Sequence, residues 1–353
     1  MFWLILSVAL ATPADRIDHL LDAGKVSKAL RVAERHVRRD TSAASLEDRA
    51  RVREAMEDLP GAVSDYVAAR TLDPARTGVL AVHTVELLVF LDRLPEARDW
   101  AEQAVLTDQD LPGDIRSVNR LTLATLMGND ANTALFDQAV AIAESDGQKA
   151  RAHAARAMAR GNLSDARRAI ALAPETRASA DGHSVLADHG WNTGNLDEAE
   201  LHQAIAVRLL GSLLPREHTD VVRAWASWGA TAERRSEPAE ALRRYQQASE
   251  RNTDPAIAPR YDASVARIHL ELGEADAADE LEAAARAAQA VGDTTTAAAA
   301  HHALARHALS SGNSGDAQVH LQATLDALRS QDPAPTAAIE AVERSLSRLQ
   351  ASP

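Results

Sequence analysis

Two histidine-bearing stretches hold the side chains best suited to chemistry. "HHALARH" places His301, His302 and His307 within seven residues. A metal centre needs three or four such ligands converging on one point. Gaps of six and five residues put His307 off the helical face of the other two, so the three read as helix-surface histidines. "DGHSVLADHG" holds Asp181, His183, Asp188 and His189. Hydrolytic catalysis there would need a serine raised on a glycine elbow, and Ser184 merely follows His183. No Gly-x-x-x-x-Gly-Lys-Ser/Thr loop and no His-Glu-x-x-His stretch occurs. The many carboxylates fall on periodic segments and read as solvated helix faces. The expectation is a protein that is not an enzyme, with no cofactor and no metal.

The elements around these residues are helical. Of 353 residues 46% are hydrophobic but only 3% aromatic, so the apolar content is mostly Ala, Leu and Val. Ala and Leu are strong helix formers. A formal charge of −13 disfavours global attraction to nucleic acid or an anionic membrane. Cysteine is absent, which excludes disulfides and thiolate chemistry. Only three cations are lysines, Lys25, Lys28 and Lys149, a skew that fits a GC-rich bacterial genome.

The chain begins "MFWLILSVALATPADR". Phe2 to Leu10 are apolar, and Ala9-Leu10-Ala11 has the small-x-small form of a cleavage site. Residues 1–11 therefore read as a compact signal peptide, although no Lys or Arg precedes the run. Periplasmic or secreted location is the expectation, with a cytoplasmic protein as the alternative. No segment is long and apolar enough to predict a spanning helix.

Internal comparison is the most informative test. "GKVSKA", "EDLPGA", "DRLPEA", "GNDANT", "GNLSDA", "GNLDEA", "SEPAEA", "GEADAA" and "GNSGDA" end at Ala29, Ala62, Ala97, Thr133, Ala166, Ala199, Ala241, Ala278 and Ala317. Their spacings are 33, 35, 36, 33, 33, 42, 37 and 39 residues. Each copy reads as a turn opening the second of two antiparallel helices. Twelve residues before the alanine stands another small residue: Ala50, Ala154, Ala187, Gly229, Ala266 or Ala305, with Val85 and Leu121 as exceptions. Small facing small permits close helix packing.

This pattern resembles the tetratricopeptide repeat (TPR). "WASWG" supplies Trp225, Trp228 and Gly229, followed by Ala241, Tyr245 and Ala248. "GAVSDYVAARTLDP" supplies a second helix closed by Pro74. The stretch 194–248 looks like the longer repeats of kinesin light chain and related bacterial arrays. The resemblance implies an all-α, right-handed superhelical solenoid of about nine repeats over 13–330. Residues 331–353 follow as a capping helix and tail, with Ile339, Val342, Leu346 and Leu349 on one stripe.

The resemblance also implies that the first helices line a concave groove for a protein or peptide ligand. Transferred on that geometry, the candidate partner-binding residues are Val79, Val82, Glu86, Val89, Ile115, Val118, Arg151, Trp191, Arg223, Arg260, Arg267 and Arg306. The later groove positions set five arginines against Asp181, Asp188 and Glu233, so arginines could grip partner carboxylates. The Lys and Asn clamp of chaperone-binding members is not visible. The helix at 79–91 is apolar nearly all round. It is read as a central helix buried between neighbours, with a partner landing strip as the other reading. The run "KVSKALRVAERHVRR" is basic and 270–293 acidic, which allows head-to-tail association, although solvated helices are the plainer reading. The function expected is an interaction scaffold of the bacterial envelope; a cytoplasmic ligand-sensing or regulatory module acting on a separate kinase or transcription factor is the alternative.

Overall fold

A left-handed backbone residue recurs at one fixed place in this chain and folds it into hairpins. The computed structural model describes residues 12–128 and 133–351. The signal-peptide expectation at 1–11 lies outside the described residues. Gly24, Glu57, Asp92, Gly128, Gly161, Gly194, Ser236, Gly273 and Gly312 all have φ between 56° and 79°. Each stands five residues before the last position of its repeat motif. A residue with positive φ cannot continue a helix, so each one ends the first helix and turns the chain. An Asn or Asp then restarts the helix in several copies. Asp58, Asn162, Asn195 and Asn313 each accept from a backbone N–H of the new first turn.

Nineteen α-helices and no strand occur among the described residues. The chain divides into two compact units, up to Pro174 and from Glu175 onward. In the first unit, α1 (Pro13–Asp22) pairs with α2 (Val26–Arg39), and α3 (Ala43–Glu54) with α4 (Leu59–Leu72). Then α5 (Thr77–Phe90) pairs with α6 (Leu94–Thr107), α7 (Gly113–Met127) with α8 (Thr133–Ile142), and α9 (Asp146–Arg160) with α10 (Leu163–Leu172). In the second unit the pairs are α11 (Arg177–Thr193) with α12 (Leu196–Leu213), and α13 (Thr219–Arg234) with α14 (Pro238–Arg251). They continue with α15 (Ala258–Leu272) and α16 (Ala277–Ala290), and α17 (Thr294–Ser310) and α18 (Ser314–Arg329). α19 (Thr336–Ala351) packs on α18, with Val342 and Leu346 buried against Leu321 and Leu325.

These are the nine hairpins expected from the spacing. Ala29, Ala62, Ala97, Ala166, Ala199, Ala241 and Ala317 are fully buried. So are Ala50 and Ala305, while Ala154, Ala187 and Ala266 are nearly so. The widest spacing, 199 to 241, comes from the eighteen-residue α12, the longest helix described, and needs no domain break. Pro74 closes α4 as expected and opens a 3-10 turn, Pro74–Arg76, that leads into α5.

Two motif positions differ from the expectation. Thr133 is exposed, and Phe136 and Ala139 make the buried contacts of α8. The described part of α8 starts at Thr133, whose carbonyl oxygen accepts from the Arg160 guanidinium at 2.6 Å. In the eighth hairpin Ala277 is buried and Ala278 only partly, because α16 starts at Ala277.

Helices α11 and α12 approach closely at Gly190. A Cβ on Gly190 would come within 2.8 Å of the Ala199 nitrogen and 2.9 Å of the Asn195 carbonyl oxygen, both backbone atoms. Gly211 on α12 has open space instead. Gly190→Ala is therefore expected to cost about 2 kcal/mol through overpacking. Gly211→Ala should gain about 0.5–1 kcal/mol through helix propensity. Opposite shifts of the urea midpoint would check the pair; shifts of the same sign would contradict it.

Candidate functional site

Several first helices pack on the first helix of the next hairpin. Within the first unit α5 lies on α7 and α7 on α9; within the second, α15 lies on α17. The residues nominated from the sequence therefore sit on consecutive helices of one layer in each unit.

In the first unit α5 turns Leu80, Val85 and Leu88 into the core. Val79 and Val82 are half-buried, and Glu86 and Val89 are exposed. The helix is thus not buried all round; Phe90 at its end is 78% exposed. On α7, Ile115 and Val118 are half-buried, and on α9 Arg151 is exposed.

The second unit brings nominated residues together. Arg267 of α15 and Arg306 of α17 line one cleft of about 540 Å³ with Glu233 of α13, Glu271 and His307. Leu270, Ala303 and Leu309 supply its apolar wall. Glu233 takes the Arg267 guanidinium in a two-point contact at 2.5 and 2.7 Å. It also accepts from the Tyr245 hydroxyl at 3.1 Å. Burial, and next the Glu233 charge, push the Tyr245 phenol well above its usual value. Burial works against the Arg267 cation, but Glu233 outweighs it and the pKa is raised. Glu271 also lies 3.5 Å from Arg267. Arg306 forms no ion pair or side-chain hydrogen bond among the described residues. The cleft thus holds one cation already satisfied and one with its charge unspent.

The remaining arginines are more loosely held. Arg223 is 3.7 Å from Asp220, and Arg260 is 3.4 Å from Asp293. Trp191 stays half-buried at the end of α11, its ring covered by the Arg234 guanidinium at 4.8 Å.

The histidines correct the sequence reading. His301 is buried, not on the surface, and its ring stacks on His320 of α18 at 5.6 Å. His302 and His307 are exposed as expected. An equivalent pair joins α11 to α12, with His183 and His202 Nδ1 atoms 2.8 Å apart. Both pairs are separated by 19 residues, and each lies at the same offsets from its motif alanines. That repeated spacing was the signal in the sequence. Among the described residues no three His, Asp or Glu side chains converge as a metal site.

First helices backed by second helices, with an open cleft lined by α13, α15 and α17 in the second unit, define a helical-repeat architecture. The chain is similar to a solved tetratricopeptide repeat protein from Parabacteroides merdae ATCC 43184, at 14% identity and a TM-score of 0.53. The match covers 72% of this chain and 97% of that one. It is also similar to RapI in its apo form, at 9% identity and a TM-score of 0.44, over 90% of this chain and 85% of that one. No family model and no curated protein matches the chain. The fold is that of the tetratricopeptide repeat.

Proposed function

We propose that this protein is a non-enzymatic interaction scaffold. It binds a protein or peptide segment on the layer of first helices, with the Arg267–Arg306 cleft as a principal contact. A repeat array of this fold offers an extended surface and not an enclosed active site. The observation that carries the reading is Arg306, a cation without a partner in a cleft with an apolar wall. Arginine meets a carboxylate in a geometrically specific two-point contact. A peptide bearing one acid beside apolar side chains would use both features of the cleft. Location in the bacterial envelope or outside it completes the proposal, motivated by the apolar run at 2–10.

Capture of a partner from an extract of the native source, followed by titration of the identified segment, tests this. Arg306→Glu is expected to weaken binding about tenfold, the loss of one charge-assisted contact together with a new repulsion. Unchanged affinity would remove the cleft from the binding face. N-terminal sequencing of the native protein after fractionation tests the location. A chain starting at Thr12 supports export, and an unprocessed Met1 in the cytosol overturns it.

A further inference from the structure

The first hairpin carries a surface that the inner cleft does not use. Helix α2 holds Lys28, Arg31, Arg35, Arg38 and Arg39 against one acid, Glu34, and Lys25 precedes it as the N-cap. All six cations are exposed, while Ala29, Ala33 and Val37 on the opposite side are buried against α1 and α3. None of the six forms an ion pair or side-chain hydrogen bond among the described residues. Elsewhere in the chain arginines are paired as a rule: Arg49 and Arg53 with Asp65, Arg156 with Asp165, Arg244 with Glu200. In a protein of −13 this unpaired face is the exception. Six cations within about four turns of one exposed face repel one another, and the helix dipole favours only those in the last turn, Arg38 and Arg39.

We infer that the exposed face of α2 docks on an anionic lipid surface. Two observations on this chain select that partner. The face is broad and cationic, with no Phe, Tyr or Trp on α2 to stack a nucleic-acid base, and the ring of His36 turned to Asp48 at 3.3 Å. The second rests on the export reading proposed above, in which the apolar run at 2–10, immediately before α1 in the sequence, brings this end of the chain to a bilayer. Acidic headgroups would supply the countercharge that the fold withholds, each cation acting within a Debye length of the surface. The negative remainder of the chain is repelled by the same surface, which orients the molecule with α2 towards it. This surface is independent of the cleft, and either reading can fail alone.

Co-sedimentation of the full chain with vesicles of phosphatidylcholine, with and without phosphatidylglycerol, tests the inference. Capture is expected only with phosphatidylglycerol and should vanish at high salt. Arg31→Glu with Arg35→Glu should weaken capture about tenfold or more. These side chains point away from the packed stripe, so circular dichroism should be unchanged. The control is Arg243→Glu with Arg286→Glu, an equal charge change on exposed residues of α14 and α16, and should stay within about twofold. Three results would overturn the inference. Equal capture by both vesicle types would assign the contact to the apolar run. Undiminished capture of the Arg31/Arg35 variant would discard α2. Competition in which single-stranded RNA strips the chain from vesicles at matched phosphate concentration would assign the face to nucleic acid.

Discussion

Asp65→Ala is expected to lower the stability of the first unit by about 3 kcal/mol, the largest effect of any single substitution considered. Asp65 on α4 is 3% exposed. Its two oxygens accept from Arg49 at 2.8 and 2.6 Å, and from Arg53 at 2.9 Å. Asp65 holds the Arg49 guanidinium above its ordinary pKa, against the burial that lowers it. Both arginines come from α3, so one carboxylate fastens the two helices of the second hairpin. Removing it leaves two partly buried cations facing each other. Both retain some contact with solvent, which keeps the cost near the lower end of about 3–5 kcal/mol for breaking such a pair. Asp65→Asn keeps one acceptor and should cost about half as much. Faster amide hydrogen exchange across α3 and α4 would report the change. Exchange rates equal to the parent protein would show that the arginines find other partners at no cost.

Acid should weaken the second unit well before ordinary carboxylates titrate. His183 is buried on α11, and its pKa is lowered to about 4 from an ordinary 6.5. Burial is the main cause, followed by repulsion from His202 and Arg208 on α12. Between these two values the unfolded chain binds a proton that the folded chain does not. Stability is therefore complete above pH 6.5 and falls as the pH drops towards 4. The displacement corresponds to about 3 kcal/mol. His301 moves the same way, through burial first and then His320. Thermal unfolding from pH 7.5 to 4.5, followed by the fluorescence of Trp191, Trp225 and Trp228, is expected to show a falling midpoint. His183→Leu should flatten that slope. A parent midpoint constant over the range would show that the His183–His202 pair takes up a proton without strain.

Much of the fold was legible because helix pairing leaves a mark at fixed distances along the chain. The motif alanines, the small residue twelve positions earlier and the turn between them all answer to one contact, the crossing of two helices. That crossing excludes large side chains, so composition alone betrays it. The reading failed where the contact itself was missing. Thr133 is exposed, and Ala278 yields to Ala277 because α16 starts one residue before its motif alanine where the other second helices, α8 apart, start three before. A spacing rule locates a turn but not the first hydrogen-bonded residue after it.

The candidate site was legible only as a layer. Nominating the first helices placed Arg267 and Arg306 in one cleft, but also nominated Arg223 and Arg260, which lie outside it. Arg267 reaches Glu233 across 34 residues, and His183 reaches His202 across 19. Such pairs depend on the rotation of helices in different turns of the chain, which periodicity does not encode.

The sequence by itself determined the repeat, its count and its hairpin geometry, since these follow from local turn chemistry and from side-chain size at one crossing. The tertiary structure decided which charges are spent. It paired Arg267 and left Arg306 open, buried His301 against His320, and kept the cations of α2 unpaired on the outside. Charge pairing is set by a few ångströms between side chains distant in sequence. Only packed helices fix those distances.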